Sequence, residues 1–263
     1  MTTVLLTASA AALFLAGYPQ NSRGENQPAS KQAVTADDSA LRQPDSSGIA
    51  ESTTGNNGRF ILDVTPLLQD NNESACEIYA AVSLLNYYGF SVDDNEFIEN
   101  YLHTEPLGTY DGVYCGPSLY SAFAGTAQFG YGVYAPSLEG SVNKYLSDNR
   151  SDMTAKTETE CTLEDLCRVH VSSGKPVIIW GTTDMLAPVD YVYWTIDYAD
   201  ENSDLKVGDI FSWPTTEHCM LLMGFDDYDY FFADSLDGTV VSYPKQECQE
   251  AFEALGSQAI YLS

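Results

Sequence analysis

Cys76 is the residue of this sequence whose position most favours nucleophilic chemistry. It lies where a polar loop, residues 70–74, gives way to an apolar run with the three- and four-residue spacing of a helix. The amides and the dipole at a helix N-terminus stabilise a thiolate, which is the nucleophilic form of cysteine. On position alone, an ordinary half-buried cysteine at the start of a core helix is the better interpretation. Other residues must therefore decide between the two.

His218 is the histidine best placed to act as a base for that thiol. It begins an apolar, strand-like run directly after a polar loop, so its side chain could face a cleft. The other two histidines, His103 and His170, lie after or near the end of helical segments, where solvated or capping roles are expected. A nucleophilic cysteine on an early helix, with a histidine about 140 residues downstream, is the papain-type order. Taken alone, a structural role for His218 is equally acceptable.

Two further side chains could complete such a site. Asp234 ends a strand predicted to pair through a turn with the His218 strand, so its carboxylate could orient the imidazole and leave the other ring nitrogen for sulfur. Gln69 precedes the helix, and its amide could join the backbone N–H of Cys76 in an oxyanion hole. A turn-capping aspartate and a solvated loop glutamine are the alternatives for each residue by itself. One catalytic site would explain all four placements together.

The elements around these residues predict an α+β domain, because helices dominate its first half and β-hairpins its second. Helices are expected at the Cys76 run and at residues 93–102, 136–146, 161–171 and 246–255. Strands are expected near residues 60–62, 177–180, 191–196, 218–225, 230–233, 239–243 and 258–262. We expect a mainly antiparallel sheet with one helix packed against it. Residues 103–132 lack clear periodicity and are predicted to form a long functional loop.

Charge and composition exclude several function classes. The chain of 263 residues carries 38 acidic and 11 basic side chains, a formal net charge of −27. Such a surface repels phosphate backbones and anionic lipid head groups, so nucleic-acid binding is not expected. The three histidines and six cysteines show no zinc-binding spacing, and we expect neither a metal nor a cofactor.

The N-terminal sequence suggests export. Residues 1–17 form an apolar run of signal-peptide length, although no basic residue precedes it. Residues 18–58 are polar and read as a disordered linker, followed by one folded domain over 59–263. We therefore expect an exported, extracellular or cell-surface protein, with no stable membrane insertion of the mature domain. An apolar start that simply stays unfolded is the alternative.

From Leu62 onward the chain resembles a known bacterial family. The matching stretches are LDVTPLLQ, ACE, LLNYYGFSVDD, FIENYL, AFAGTAQFGYGVYAP, NKYL, GKPVIIWGTTDM, EHCMLLMGFDD, FFADSLDG and QAIYL. They resemble the bacteriocin-leader-peptidase-like cysteine peptidases, family 39 of the cysteine peptidases. The resemblance implies a papain-like fold in which Cys76 is the nucleophile, His218 the base, Asp234 the orienting acid and Gln69 the oxyanion donor. It also implies a peptide or protein substrate, cleaved through an acyl-thioester.

The chain departs from the family pattern at three positions, none of which removes a catalytic atom. Ala75 stands where the family usually has Gly, Ser235 where it usually has Pro, and Val133 where it often has Cys. The sequence contains no transporter domain, so the leader-processing role of transporter-fused members is not expected here. Two alternatives stay open: a non-catalytic surface binding module on the same fold, and a transamidase that uses the same residues. The five cysteines other than Cys76 allow at most two disulfides, whose pairing the sequence does not reveal.

Overall fold

The computed structural model describes residues 58–201 and 203–263. The predicted signal-like segment, 1–17, lies outside the described residues, as does the predicted linker up to residue 57. Within the described residues the helices are α1 (Cys76–Tyr87), α2 (Asp94–Asn100), α3 (Ala135–Asp148), α4 (Leu163–Val169) and α5 (Lys245–Ala254). The strands are β1 (Phe60–Ile61), β2 (Thr104–Glu105), β3 (Gly108–Tyr110), β4 (Val113–Pro117), β5 (Phe123–Gly125), β6 (Gly130–Gly132), β7 (Ala155–Glu158), β8 (Val177–Thr182), β9 (Tyr191–Tyr198), β10 (Ile210–Pro214), β11 (Glu217–Phe225), β12 (Asp229–Asp234), β13 (Thr239–Pro244) and β14 (Ala259–Leu262).

A seven-stranded antiparallel sheet forms the centre of the fold. Its strand order is β13-β12-β11-β8-β14-β7, and β1 pairs in addition with the end of β11. The strands β8 and β11 are apolar along nearly their whole length, because helices and loops cover both faces of this sheet. The predicted turn between β11 and β12 is present, and in it Asp226 accepts the backbone N–H groups of Tyr228 and Asp229 at 2.8 Å.

Helix α1 packs against β11 and so sets the position of Cys76. Every residue from Cys76 to Leu85 is buried, which is the pattern of a helix enclosed on all sides by the core. The helix ends before Gly89, whose φ of +87° requires a glycine. Because α1 crosses the middle of the sheet at β11, its first residue lies close to the first residues of that strand.

Two smaller sheets build the other side of the domain. Strands β10, β9, β4 and β3 form a four-stranded sheet, in which β4 and β9 run parallel. Strands β2, β5 and β6 form a three-stranded sheet. The indole of Trp194 on β9 stacks on Phe211 of β10 and donates to the carbonyl of Pro117 on β4 at 2.8 Å, which ties these strands together.

The predicted α+β class with mainly antiparallel sheets is confirmed, and all five predicted helices are present with ends shifted by a few residues. The prediction of one long loop over residues 103–132 is wrong. That segment contains β2 to β6, each of two to five residues, which are too short to show a period-two pattern. Strands β7 and β10 were also not predicted from the sequence.

His170 has the predicted capping role, but it is not solvated as the alternative prediction would have it. His170 caps the C-terminal end of α4, but it is buried, stacks on Tyr261 and pairs with Glu158 at 2.9 Å. His103 is exposed and lies 3.2 Å from Glu105. In the part of the chain that the structure describes, no helix is long and apolar enough to cross a bilayer.

Candidate active site

Cys76 is the first residue of α1, as the sequence predicts. Its N-cap residue is Ala75, whose φ of −120° puts no strain on an alanine. The Cys76 Sγ atom accepts the backbone N–H of Cys219 on β11 at 3.4 Å and donates to Glu77 Oε2 at 3.4 Å. The sulfur therefore lies between the start of α1 and the start of β11.

His218 and Asp234 form a buried pair at the adjoining strand ends. His218 is the second residue of β11 and Asp234 the last of β12, and His218 Nε2 lies 2.8 Å from Asp234 Oδ1. Both side chains are almost completely buried. The backbone N–H of Leu236 donates to the same Oδ1 at 2.9 Å, which fixes the carboxylate beside the ring. Because Nε2 is engaged, Nδ1 is the ring nitrogen left for chemistry.

Gln69 is held by hydrogen bonds at both ends of its side-chain amide. Its Nε2 donates to the carbonyl of Asn72 at 2.8 Å, and its Oε1 accepts the hydroxyl of Ser235 at 2.9 Å. Its backbone N–H also donates to the Ser235 carbonyl at 2.8 Å. The amide Nε2 has two hydrogens, so one remains for another acceptor.

One cavity of about 730 Å³ brings three of the four predicted residues together: Gln69, Cys76 and His218 line it. Asp234 lies behind His218 rather than on the cavity wall. Among the described residues the Cys76 sulfur and the His218 imidazole form no hydrogen bond with each other. The sulfur contacts Glu77 and the Cys219 N–H, and the imidazole contacts Asp234. Trp213 lines the same cavity, whereas Trp180 and Trp194 are buried in the core.

Two carboxyl groups beside the sulfur, one buried and one half-buried, escaped the sequence analysis. Glu77 follows Cys76 on α1, and Glu217 precedes His218 on β11. One carboxylate oxygen from each and the Cys76 sulfur all lie within 4.8 Å of one another. The one signal in the sequence was a charged residue, Glu77, inside an otherwise apolar helical run.

Burial changes the protonation of both carboxyl groups. It raises the pKa of Glu77 to about 7, although the N–H of Val133, which donates to Glu77 Oε1 at 2.7 Å, opposes the rise. Burial, and then the charge of Glu77, raise the pKa of Glu217 well above its usual value. Two carboxyl groups in this position therefore cannot both be ionised without cost near neutral pH.

The thiol of Cys76 differs from the expectation drawn from its helix position. Burial, followed by the charges of Glu77 and Glu217, raises its pKa well above the usual value, while the N–H of Cys219 lowers it. The helix terminus alone would favour a thiolate, but burial and then the two acidic neighbours oppose it. These surroundings favour the thiol form of the resting sulfur.

The cysteines form no disulfide within the described residues. All six cysteines of the described residues are free, so the sequence's allowance of up to two disulfides is not used. Cys219 is fully buried, as its alternation with His218 along the strand predicts.

Comparisons with known proteins agree on one family. The model of the Peptidase_C39 like family matches residues 61–260, a range that includes all four predicted site residues. A crystal structure of a Bacillus anthracis protein, named as a C39-like peptidase, is similar with a TM-score of 0.63 and 25% sequence identity. That match covers 78% of this chain and 97% of the other. No curated protein sequence matches the chain significantly. The resemblance inferred from the sequence is confirmed.

Proposed function

Because the chain belongs to the Peptidase_C39 like family, we propose that it is a papain-like thiol-dependent hydrolase that cleaves peptide or amide bonds. In this proposal Cys76 is the nucleophile, His218 the general base, Asp234 the group that orients the imidazole and Gln69 the oxyanion donor. Its substrates are peptides or proteins that enter the cavity of about 730 Å³.

The proposed reaction has two halves. The Cys76 sulfur attacks the scissile carbonyl carbon, an S–C bond forms, and the thiol proton passes to His218 Nδ1. The carbonyl electrons move onto the oxygen, where the Gln69 amide and the Cys76 N–H donate hydrogen bonds. The C–N bond then breaks, and the leaving amine takes the proton from His218. Water, deprotonated by the same imidazole, hydrolyses the acyl-thioester and restores the thiol.

The observation that carries this proposal is the buried His218–Asp234 pair at 2.8 Å, whose histidine lines the cavity to which Cys76 also contributes. An imidazole fixed by a carboxylate on one nitrogen presents the other for proton transfer. A binding module has no need of that arrangement. Attack on substrate requires the thiol proton to reach the imidazole, and Cys76 and His218 line the same cavity.

Thiol labelling tests the proposal directly. We expect a peptide-like electrophile with a reactive carbonyl, such as a peptidyl acyloxymethyl ketone, to modify Cys76 faster than the other five thiols at neutral pH, because Cys76 lines the cavity beside His218 and can pass its proton to the imidazole during the attack. Peptide mapping by mass spectrometry identifies the modified residue. His218→Ala should remove this selectivity and abolish peptide cleavage.

A matched variant separates the site from general damage. His103→Ala removes an exposed imidazole and should leave both labelling and cleavage unchanged. Equal labelling of all accessible thiols in the unmodified protein, or full cleavage by His218→Ala, would contradict the proposal. Product masses distinguish hydrolysis from transfer to an amine.

A further inference from the structure

The carboxyl of Glu77 is the nearest acidic group to the proposed nucleophile, and the proposed reaction does not use it. Its Oε2 accepts the S–H of Cys76 at 3.4 Å, and its Oε1 accepts the N–H of Val133 at 2.7 Å. The side chain is therefore fixed at both oxygens. It is fully buried, which is rare for a glutamate.

The backbone makes room for this carboxyl. Gly132, at the end of β6, has φ +90°, and a Cβ at that position would overlap Glu77 Oε1. The adjoining residue Val133 supplies the N–H that Glu77 accepts, and its carbonyl accepts the indole N–H of Trp180 at 2.9 Å. The space at Gly132 and the N–H of Val133, whose carbonyl is held by Trp180, together form a binding pocket for the Glu77 carboxyl.

Glu217 completes the surroundings of the sulfur from the opposite element. Its Oε1 is buried and has no hydrogen-bond partner among the described residues. The titratable groups that act on Glu77 from the packed elements are Cys76 on α1 and His218 on β11. The charge of Glu77 acts in turn on Glu217, Cys219 and Tyr134. No Lys or Arg of the described residues lines this cavity.

We propose that Glu77, together with Glu217, holds Cys76 in its thiol form: Glu77 accepts the S–H hydrogen bond, and the Glu217 carboxyl lies within 4.8 Å of the sulfur from β11. The proposal rests on the proposed role of Cys76 as nucleophile. The pair opposes a negative charge on sulfur in the resting site, so the thiol gives up its proton only when a bound carbonyl receives the attack. Glu77 is in this sense a positioning residue that limits the reactivity of the free thiol.

The test is the pH dependence of thiol alkylation. With iodoacetamide, an S–C bond forms, iodide leaves and the thiol proton passes to solvent, so the rate follows the thiolate fraction. Glu77→Gln keeps the shape and the acceptor for Val133 but removes the negative charge. We expect it to raise the alkylation rate of Cys76 at pH 7 by about ten-fold or more, with the midpoint of the rate profile at least about one pH unit lower. Assays are run with a chelator so that trace metal does not cap the sulfur.

A second variant and a control keep the test decisive. Glu217→Gln should shift the profile in the same direction, whereas Glu73→Gln, which neutralises an exposed acid at the rim of the same cavity, should leave it within about two-fold. Thermal unfolding of each variant confirms that it is folded.

Two outcomes would overturn the inference: an unchanged rate profile in both Glu77→Gln and Glu217→Gln, or a slower alkylation in both. These outcomes are independent of the proposed function. If His218→Ala abolishes cleavage while Glu77→Gln leaves alkylation unchanged, the hydrolase stands and the role of Glu77 falls. If Glu77→Gln accelerates alkylation in a protein that cleaves no peptide, the role of Glu77 stands and the hydrolase proposal falls.

Discussion

The hydroxyl of Ser235 has a partner in the site. It donates to Gln69 Oε1 at 2.9 Å, and the adjacent Asp234 holds His218. A proline in its place could not make this hydrogen bond. Ser235 thus connects the carboxylate that orients the base to the amide proposed to stabilise the oxyanion.

Removal of that hydroxyl should weaken catalysis more than stability. With Ser235→Ala the Gln69 amide loses one of its two anchors, and we expect kcat to fall by about ten-fold with KM little changed, because an oxyanion donor acts in the transition state. Steady-state kinetics on a peptide substrate measures the effect, and Ser147→Ala, on the exposed end of α3, is the control. A loss confined to KM would contradict this role.

At the scale of single residues, the sequence could indicate the groups with chemistry but not the protons that they carry. Cys76 and His218 were predictable because each stands at a change from polar loop to regular element, and Gln69 because it precedes the Cys76 helix. The structure brings all three to one cavity. Glu217 resembled a loop residue, and Glu77 a helix-start carboxylate. The raised pKa values of both arise from burial between α1 and β11, a contact between residues more than a hundred positions apart.

At the scale of elements, strand β6 matters because its last glycine leaves space for the Glu77 carboxyl. Gly132→Ala would add both a positive-φ strain and a direct overlap with Glu77 Oε1. Gly112→Ala, in the exposed turn between β3 and β4 with φ +83°, would add the strain alone, since nothing lies within 4 Å of its Cβ.

We therefore expect Gly132→Ala to destabilise the domain by roughly 2 kcal/mol more than Gly112→Ala does. Chemical denaturation of the two variants measures the difference. Equal stabilities would mean that the Glu77 side chain moves away from Gly132 at no cost, and that the binding pocket for its carboxyl is not a fixed part of the fold.

The success of the prediction for each element depended on its length and its environment. Helix α1 was predictable because a run of twelve residues shows the helical period even when it is buried on nearly every side. Strands β8 and β11 were predictable as continuous apolar runs. Strands β2 to β6 were not, because two to five residues rich in glycine and tyrosine carry no period, and their pairing with distant strands such as β9 is decided by the tertiary fold.

At the scale of the whole molecule, the dominant property is a formal net charge of −27. The proposed substrate cavity is lined by the acids Glu73, Asp190 and Glu217, with the aromatic rings of Tyr131 and Trp213 only 4.7 Å apart between centroids. A field of this sign attracts cationic peptides and repels anionic ones, and the attraction weakens with ionic strength.

This field predicts a salt-dependent preference among substrates. For two peptides that differ only by Lys against Gln near the scissile bond, we expect the lysine peptide to have the higher kcat/KM at low salt. The advantage should shrink several-fold as sodium chloride rises from about 20 mM to 500 mM, where the Debye length falls below about 5 Å. Parallel assays of both peptides provide the measurement, and a preference that does not respond to salt would point to shape rather than charge.

The position of β14 determines when, during synthesis of the chain, the central sheet can be completed. Its four residues, Ala259–Leu262, lie between β8 and β7, inside the same sheet that β1 joins some two hundred residues earlier. While a ribosome is still producing the chain, β8 therefore has one edge without its neighbour until residue 262 has left the exit tunnel. The thiol at the head of α1 and the imidazole on β11 can both have emerged by then, yet the sheet that supports them is incomplete. We expect the nascent polypeptide to acquire its working form only after synthesis of the domain is finished.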